Sequence, residues 1–586
     1  MRFVFAIISF VLAAVLMALG IGERTFLAGP DEVTSSTAES TDSPVVVVTG
    51  GALNAYERTQ SLELSGAPEI VAAYGRTGDV LAWVGDAEYT EITFDEKTGQ
   101  LASKVISGTE SKVPSLAGSD LWLREYSGGN TLRMRVDLPP DVSVVAISDG
   151  TAPAPTDVSV TWPLDRSSPW AQPLMAAGGG FLLLGLVLLI WALVHMRRSR
   201  GPRRTSQKQP KMPKLPRQPR YKPGRPKAIT AKGRRATRMV VALPMMVAGT
   251  VLLAGCTMDG WPTLSQEPVA TPTPSVSSES SADSDLQPPA VTEKQVSRIV
   301  DEIGTVVTEA DSKLDAGLIA SRLTGPALEL RLANYKIRTA DPALPPVPPI
   351  PSGPVELILP QQGDAWPRTV FAVIQDKTNT TVAPVALILV QDDARSNYKV
   401  NYAVTLEPNV VLDNLAPASV GAAKLPPDFK LLQMAPDTVA AAYGDILMTD
   451  TASPSYAQFD AEKDTLRTKV GLAAKNAAVA ALPTTAKQEF ANAPGAGQVV
   501  ALSTSDSGAI VAVQLNETET VTPVKEGATI NGQGGVKVLS GKETSAKGLI
   551  ATYSDQLLFY VPSINEPGKI MLLGFSQGLV EAKEVP

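Results

Sequence analysis

Three apolar segments, at residues 3–22, 174–194 and 239–255, divide this chain of 586 residues, and a basic stretch separates the second from the third. About 20 apolar residues rise far enough as a helix to cross a hydrocarbon core of about 30 Å. Residues 3–22 follow a single Arg2 and predict an uncleaved first helix or signal anchor over 1–22. Ala18, Leu19 and Gly20 offer the small residues of a cleavage site, but the apolar run is long for a signal peptide. Residues 174–194 are uncharged, with Trp170 and Trp191 near the ends, where indoles favour the interface; they predict a second helix over 173–195. Arg197, Arg198, Arg200, Arg203 and Arg204 follow at once, and excess Lys and Arg beside a span marks its cytoplasmic end. The second span then runs outside to inside, and residues 23–172 are expected outside.

Charge is distributed to match. The chain holds 52 Lys and Arg against 59 Asp and Glu, and residues 197–238 alone hold 17 of the basic ones and no acid. The remainder is strongly acidic. Prolines at 202, 210, 213, 216, 219, 223 and 226 deny helix to this belt, so 196–238 reads as a disordered cytoplasmic loop. Such a chain is drawn to anionic lipid headgroups by about 1 kcal/mol per Lys or Arg near the surface. With Tyr221 as its one aromatic and no recognition motif, it argues against nucleic acid.

Residues 239–255 follow Arg234, Arg235 and Arg238 and close with Leu253, Ala254, Gly255 and Cys256, the only cysteine in the chain. A basic region, a short apolar run and small residues before a cysteine resemble a bacterial lipoprotein signal, or lipobox. The resemblance implies a lipid anchor on Cys256 and cleavage before it. The other reading is a third helix over 239–258, kinked at Pro244. Either places residues 257–586 outside. A lipobox this far along the chain departs from the lipoprotein pattern and looks like a two-span membrane protein fused to a lipoprotein. The abundance of Ala, Pro, Ser and Thr resembles exported proteins of high-GC actinobacteria; the apolar segments and their charged flanks set the expected location as the plasma membrane, multi-pass.

Residues 23–44 read as a linker. Residues 45–165 read as an antiparallel all-β domain of short strands at 45–49, 70–74, 80–84, 89–94, 121–126, 132–138, 142–147 and 158–162, with Ser127-Gly128-Gly129-Asn130 as a hairpin turn. Trp83, Trp122 and Trp162 are expected in its core. Residues 259–291 form a Ser/Thr/Pro-rich tether. Two α+β domains follow, at 292–415 and 428–586. The first has helices over 296–310, 315–323 and 327–335, then strands at 355–359, 369–375, 385–390 and 398–406. The second has helical patterns over 437–491, then strands at 510–515, 536–539, 549–553, 557–561 and 570–575. Residues 369–385 superpose on 508–524 at an offset of 139, pairing Gln375 with Gln514 and Pro384 with Pro523. Helices followed by a curved antiparallel sheet, twice, resemble tandem nuclear-transport-factor-2-like cones. That resemblance implies a pocket between sheet and helices.

One cysteine and one histidine exclude a disulfide framework and any Cys/His metal site within the chain. Gly574-Phe575-Ser576-Gln577-Gly578 matches a nucleophile elbow but lacks a histidine base, since His195 ends the second apolar segment. Ser396 with Lys399, Lys97 with Gly99, and Gly541-Lys542 are fragments of other motifs in the wrong order or spacing. Asp311 with Asp315 and Asp392 with Asp393 are ordinary carboxylate pairs. No catalytic residue, metal ligand or cofactor is assigned. The expected role is a membrane-anchored cell-envelope protein whose exported domains bind a protein, glycan or lipid. A carboxylate-dependent glycan- or lipid-modifying enzyme and a scaffold for a cytoplasmic partner are the alternatives.

Overall fold

The computed structural model describes residues 2–26, 30–37, 42–56, 59–164, 170–199, 287–351, 353–375, 382–408, 410–412 and 414–586. Cys256 with Leu253, Ala254 and Gly255, the third apolar segment, the basic loop beyond 199 and the tether up to 286 lie outside the described residues.

The chain opens with helix α1 (Arg2–Arg24), strands β1 (Glu32–Thr37) and β2 (Val45–Val48), and a one-turn helix α2 (Gly50–Leu53). Then come β3 (Gln60–Ser65), β4 (Ile70–Arg76), helix α3 (Thr77–Val84), β5 (Tyr89–Asp95) and β6 (Gln100–Ile106). Strands β7 (Arg124–Gly128), β8 (Thr131–Val136), β9 (Val142–Ile147) and β10 (Asp157–Pro163) precede helix α4 (Ala171–Ser199). Helices α5 (Glu293–Lys313), α6 (Ala316–Arg322) and α7 (Gly325–Ala340) lead into β11 (Val355–Pro360), β12 (Arg368–Ile374), β13 (Val385–Gln391) and β14 (Lys399–Leu406). After β15 (Lys424–Leu425) come α8 (Pro436–Thr449), α9 (Thr465–Val470), α10 (Leu472–Ala481), β16 (Ala486–Pro494), β17 (Val500–Ser503) and β18 (Ala509–Pro523). The chain ends with β19 (Ile530–Asn531), α11 (Gly534–Ser540), β20 (Thr544–Ser545), β21 (Leu549–Val561) and β22 (Met571–Glu584).

Two compact units result, one carrying α1 and α4, the other joining Thr34–Thr161 with Glu279–Pro586. In the first, both helices are long and apolar enough to cross a membrane. They pack through small residues spaced by seven: Ala6, Ala13 and Gly20 on α1, and Ala171, Gly178, Gly185 and Ala192 on α4, all buried. A methyl group placed on Gly20 would lie 2.8 Å from Met175 Cγ, on Gly178 2.8 Å from Met17 Cγ, and on Gly185 3.1 Å from the Phe10 ring. Rising numbers on one helix meet falling numbers on the other, so the pair is an antiparallel hairpin. Small residues let the backbones close while Ile7, Val11 and Val187 stay exposed on the outside.

In the second unit, residues before 162 form two sheets, a six-stranded one in the order β6-β5-β2-β9-β4-β7 and a four-stranded one in the order β1-β10-β3-β8. The expected antiparallel all-β domain at 45–165 is corrected in the structure: residues 32–37, expected in a linker, form its strand β1 beside β10, and three further places differ. Residues 80–84 belong to α3, because Val80, Trp83 and Val84 repeat at helical spacing and one short apolar run does not fix its period. Strand β2 pairs β5 in parallel, which a crossover through β3, β4 and α3 permits. Strands β7 and β8 form no hairpin ladder: β7 pairs β4 and β8 pairs β3, so Gly128 and Gly129 pass the chain between sheets. Trp83 and Trp122 meet edge to face at 5.6 Å in the core, and Trp162 is also fully buried.

From α5 onward the architecture is α+β. Thr292 opens α5 with a capping box: its hydroxyl accepts from Gln295 N, and the Gln295 side chain accepts from Thr292 N. Val296, Ile299, Val300, Ile303 and Val307 then bury one face of that helix. Strands β11 to β14 form an antiparallel meander, as do β17, β18, β21 and β22, with β16 also on β18. The two meanders are not separate sheets. Thr405 and Leu406 of β14 pair Phe575 and Gly574 of β22, joining ten strands into one sheet. Val370, Ala372 and Ile374 of β12 pack under α5 and α7, while Val511, Val513 and Leu515 of β18 pack under α8. The opposite faces share a third core, with Phe371 and Val373 of β12 in the same cluster as Ile510 and Ala512 of β18. The layers therefore run helix, sheet, sheet, helix. Strands β12 and β18, related by the offset of 139, hold the same second place in their meanders. Residues 486–491, expected helical, are strand; 536–539, expected strand, are helix α11 packed on β22.

Candidate functional site

The helix-facing row of β18 is apolar from Ala509 to Leu515 and then turns acidic at Glu517 and Glu519. On β21 the same face carries Val561, Phe559 and Leu557, then Asp555 and Tyr553. Where the apolar core ends, the sheet and helices α9 and α10 leave a pocket of about 180 Å3. Lys469, Lys475, Phe490, Glu519, Tyr553 and Gln577 line it.

The short break at Gly471 between α9 and α10 places Lys475 inward. Its ammonium donates to Glu517 Oε1 at 2.6 Å and to the Val470 carbonyl, one of the carbonyls that the end of α9 leaves unpaired. Both partners of the ion pair are buried. Gln577 Nε2 donates to Glu517 Oε2 at 3.3 Å. Asp555 is fully buried behind them, against Gln577 and Glu517 without a hydrogen bond of normal geometry. Burial, and then the Glu517 charge, hold its carboxyl well above the usual carboxylate range. Glu519, which accepts from Gln488, is also raised, by burial first and the Glu517 charge second. Tyr553 is raised by burial and by Glu519. Phe490 lies 5.6 Å from the Lys475 ammonium, and Lys469 sits 4.7 Å above the Phe575 ring. The result is one sealed acid, one neutralised acid and one acid, Glu519, open to the pocket.

Beneath α7 the first meander leaves a cavity of about 20 Å3, lined by Arg331, Val385 and Ala403 among others. Asp311 pairs with Arg331 and accepts from the Tyr335 hydroxyl at 2.6 Å, while Arg331 also donates to the Pro348 carbonyl at 2.9 Å. Arg331 and Tyr335 are buried in this cluster. An open groove of about 270 Å3 runs outside them between α7, the proline-rich loop 344–348, α11 and β22.

The motif residues are dispersed. Ser576 is an ordinary residue of β22 opposite Gln556, and His195 lies on α4 in the other unit. Asp315 caps α6, accepting from Gly317 N and Leu318 N. Asp393 accepts from Arg395 N and the Ser396 hydroxyl in the turn before β14. Lys97 and Gly99 form the β5–β6 turn, and Lys542 pairs with Glu584 at 2.9 Å. Among the described residues, no group of three or more His, Cys, Asp or Glu side chains is placed to hold a metal. Lys475, Glu517, Glu519 and Asp555 were not singled out from sequence. The signal was the abrupt change from apolar to acidic at alternate positions of 509–523.

A family model described as a domain of unknown function, DUF8094, matches residues 287–584, half of the chain. The chain belongs to this family. The DUF8094 match covers both meanders and the pocket and leaves out Thr34–Thr161, although both regions fall in one compact unit. No curated protein matches the chain, and no solved structure does.

Proposed function

We propose that this protein is a membrane-anchored envelope protein whose helical hairpin carries a body exposed outside the cytoplasm, and that the DUF8094 pocket binds a small polar ligand. The acid-to-core transition at Glu517 and Asp555 carries this reading. A pocket with an aromatic wall, the Lys469 ammonium and a few polar side chains suits a sugar or a lipid headgroup. The raised acids favour the enzyme alternative enough to name it. Glycoside chemistry, however, needs two carboxyl groups that touch the substrate. Asp555 is sealed and Glu517 is taken up by Lys475 and Gln577, which leaves Glu519 alone. Binding is the simpler use. The anchors are α1 and α4, with the basic loop on anionic headgroups and Cys256 as a lipid anchor if its signal is processed.

Ala474 lines the pocket and belongs to none of its polar contacts, so Ala474→Phe fills it and leaves the network in place. The melting temperature of the full-length protein in detergent, measured against cell-wall sugars and phospholipid headgroups, tests the reading. A compound that raises the melting temperature of the wild type and not of Ala474→Phe is expected. No effect from any of them, or equal effects on both proteins, counts against it.

A further inference from the structure

The DUF8094 domain reaches into Thr34–Thr161 with four arginines. Arg368, stacked 3.8 Å from the Trp366 ring centroid, pairs with Asp79 at 2.6 Å, and their side chains are 1% and 7% exposed. Arg322 pairs with Asp120 at 2.6 Å, and the same Asp120 carboxylate accepts from Tyr398 N at 2.8 Å. Arg395 donates to the Trp83 and Val84 carbonyls at 2.7 and 2.8 Å and to Glu110 at 2.7 Å. Those two carbonyls belong to the last turn of α3, where a helix runs short of N–H donors and favours a cation; the Val84 carbonyl also accepts from Ala87 N at 3.2 Å. Gly85, which ends α3 at φ 61°, leaves the space: a methyl group there would lie 3.2 Å from the Arg395 guanidinium. Arg298 donates to the Asp120 and Trp122 carbonyls, Gln295 to the Leu121 carbonyl and Asn397 to the Gly118 carbonyl. Thus four carbonyls of the irregular stretch 118–122 are taken by the other part. Ala394 completes the apolar core around Trp83 and Trp122.

Loops of a self-contained domain turn their carbonyls to water. Here they are turned to another part of the chain, with two buried carboxylates opposite two buried guanidinium groups. Such groups are stable only in the presence of their partners, because an unpaired buried charge is strongly unfavourable. We infer that Thr34–Thr161 is a partner domain of the DUF8094 domain, recognised by Arg298, Arg322, Arg368 and Arg395, and that the two remain bound as separate polypeptides. A cut anywhere in 200–286, including one before Cys256, then yields a non-covalent pair and not two independent proteins. This holds whether or not the pocket binds a ligand.

A protease recognition sequence inserted after Ser278 of the full chain, with an affinity tag at the C-terminus, tests it in detergent. After cleavage and capture through the tag, both fragments are expected to elute together and to withstand 1 M salt, since buried pairs are little screened. The N-terminal fragment in the flow-through of the wild-type protein would overturn the inference. Asp120→Asn and Arg322→Gln are each expected to shorten the lifetime of the pair about 100-fold. The double variant is expected to be no worse than the more severe single one. Strictly additive effects, or unchanged lifetimes in variants that melt cooperatively before cleavage, would show that these residues do not carry the recognition.

Discussion

At the scale of the residue, the buried Asp555 behind the DUF8094 pocket makes stability depend on pH. Asp555 is raised by burial and by Glu517, so the folded protein holds a proton that the unfolded chain releases. Stability then falls as pH rises from the ordinary carboxyl value of about 3.9 toward the folded value, and below the ordinary value the difference vanishes. Asp555→Asn keeps the shape and removes the ionisable group. Its melting temperature is expected to match the wild type near about pH 4 and to exceed it increasingly as pH rises above that. A constant gap across that range, measured by thermal melts, would contradict a buried protonated carboxyl. Arg368 and Arg322 meet buried carboxylates in another way, each forming an ion pair, with Asp79 and with Asp120.

At the scale of the element, the helical hairpin rests on a repeat that the sequence displays openly, yet hydropathy alone passes over it. Both apolar stretches are plain from composition, but the register that joins them lies in Ala13 and Gly178, whose small size was no signal until the partner helix was known. In a Cys256→Ser background, cysteines at Ala13 and Gly178 are expected to cross-link on mild oxidation, whereas cysteines at the outward positions Phe5 and Val187 are not. The reverse pattern, read by mass spectrometry, would mean another register. The same division explains the elements of the body. Long periodic segments such as α5 were legible because seven or more apolar residues repeat at helical spacing. Residues 80–84 and 536–539 were not, since stretches of four or five residues fit either period and neighbours decide. Strand β21 was read as two strands because Ser554, Asp555 and Gln556 interrupt its apolar run. That interruption lies behind the pocket, where the apolar core of the second meander ends.

At the scale of the whole molecule, the element order of the two helix-and-meander halves was readable, while the pairing of β14 with β22 was not. It rests on only two residue pairs, far apart in sequence. Nor did the sequence reveal that Thr34–Thr161 and the DUF8094 domain share one compact unit, because the arginines that join them are ordinary surface residues by composition. The unit brings together two stretches that the topology argument places outside the cytoplasm independently, one from the arginines after α4 and one from the segment ending at Cys256. If one were inside, the ion pairs of Arg368 with Asp79 and Arg322 with Asp120 would not form. Labelling of intact cells with a membrane-impermeant maleimide tests this most directly, using Cys256→Ser chains with one cysteine in place of Asn130, Glu526 or Ser206. The account predicts labelling at positions 130 and 526 in intact cells and at 206 only after lysis; protection of either 130 or 526, or labelling of 206 from outside, would contradict it.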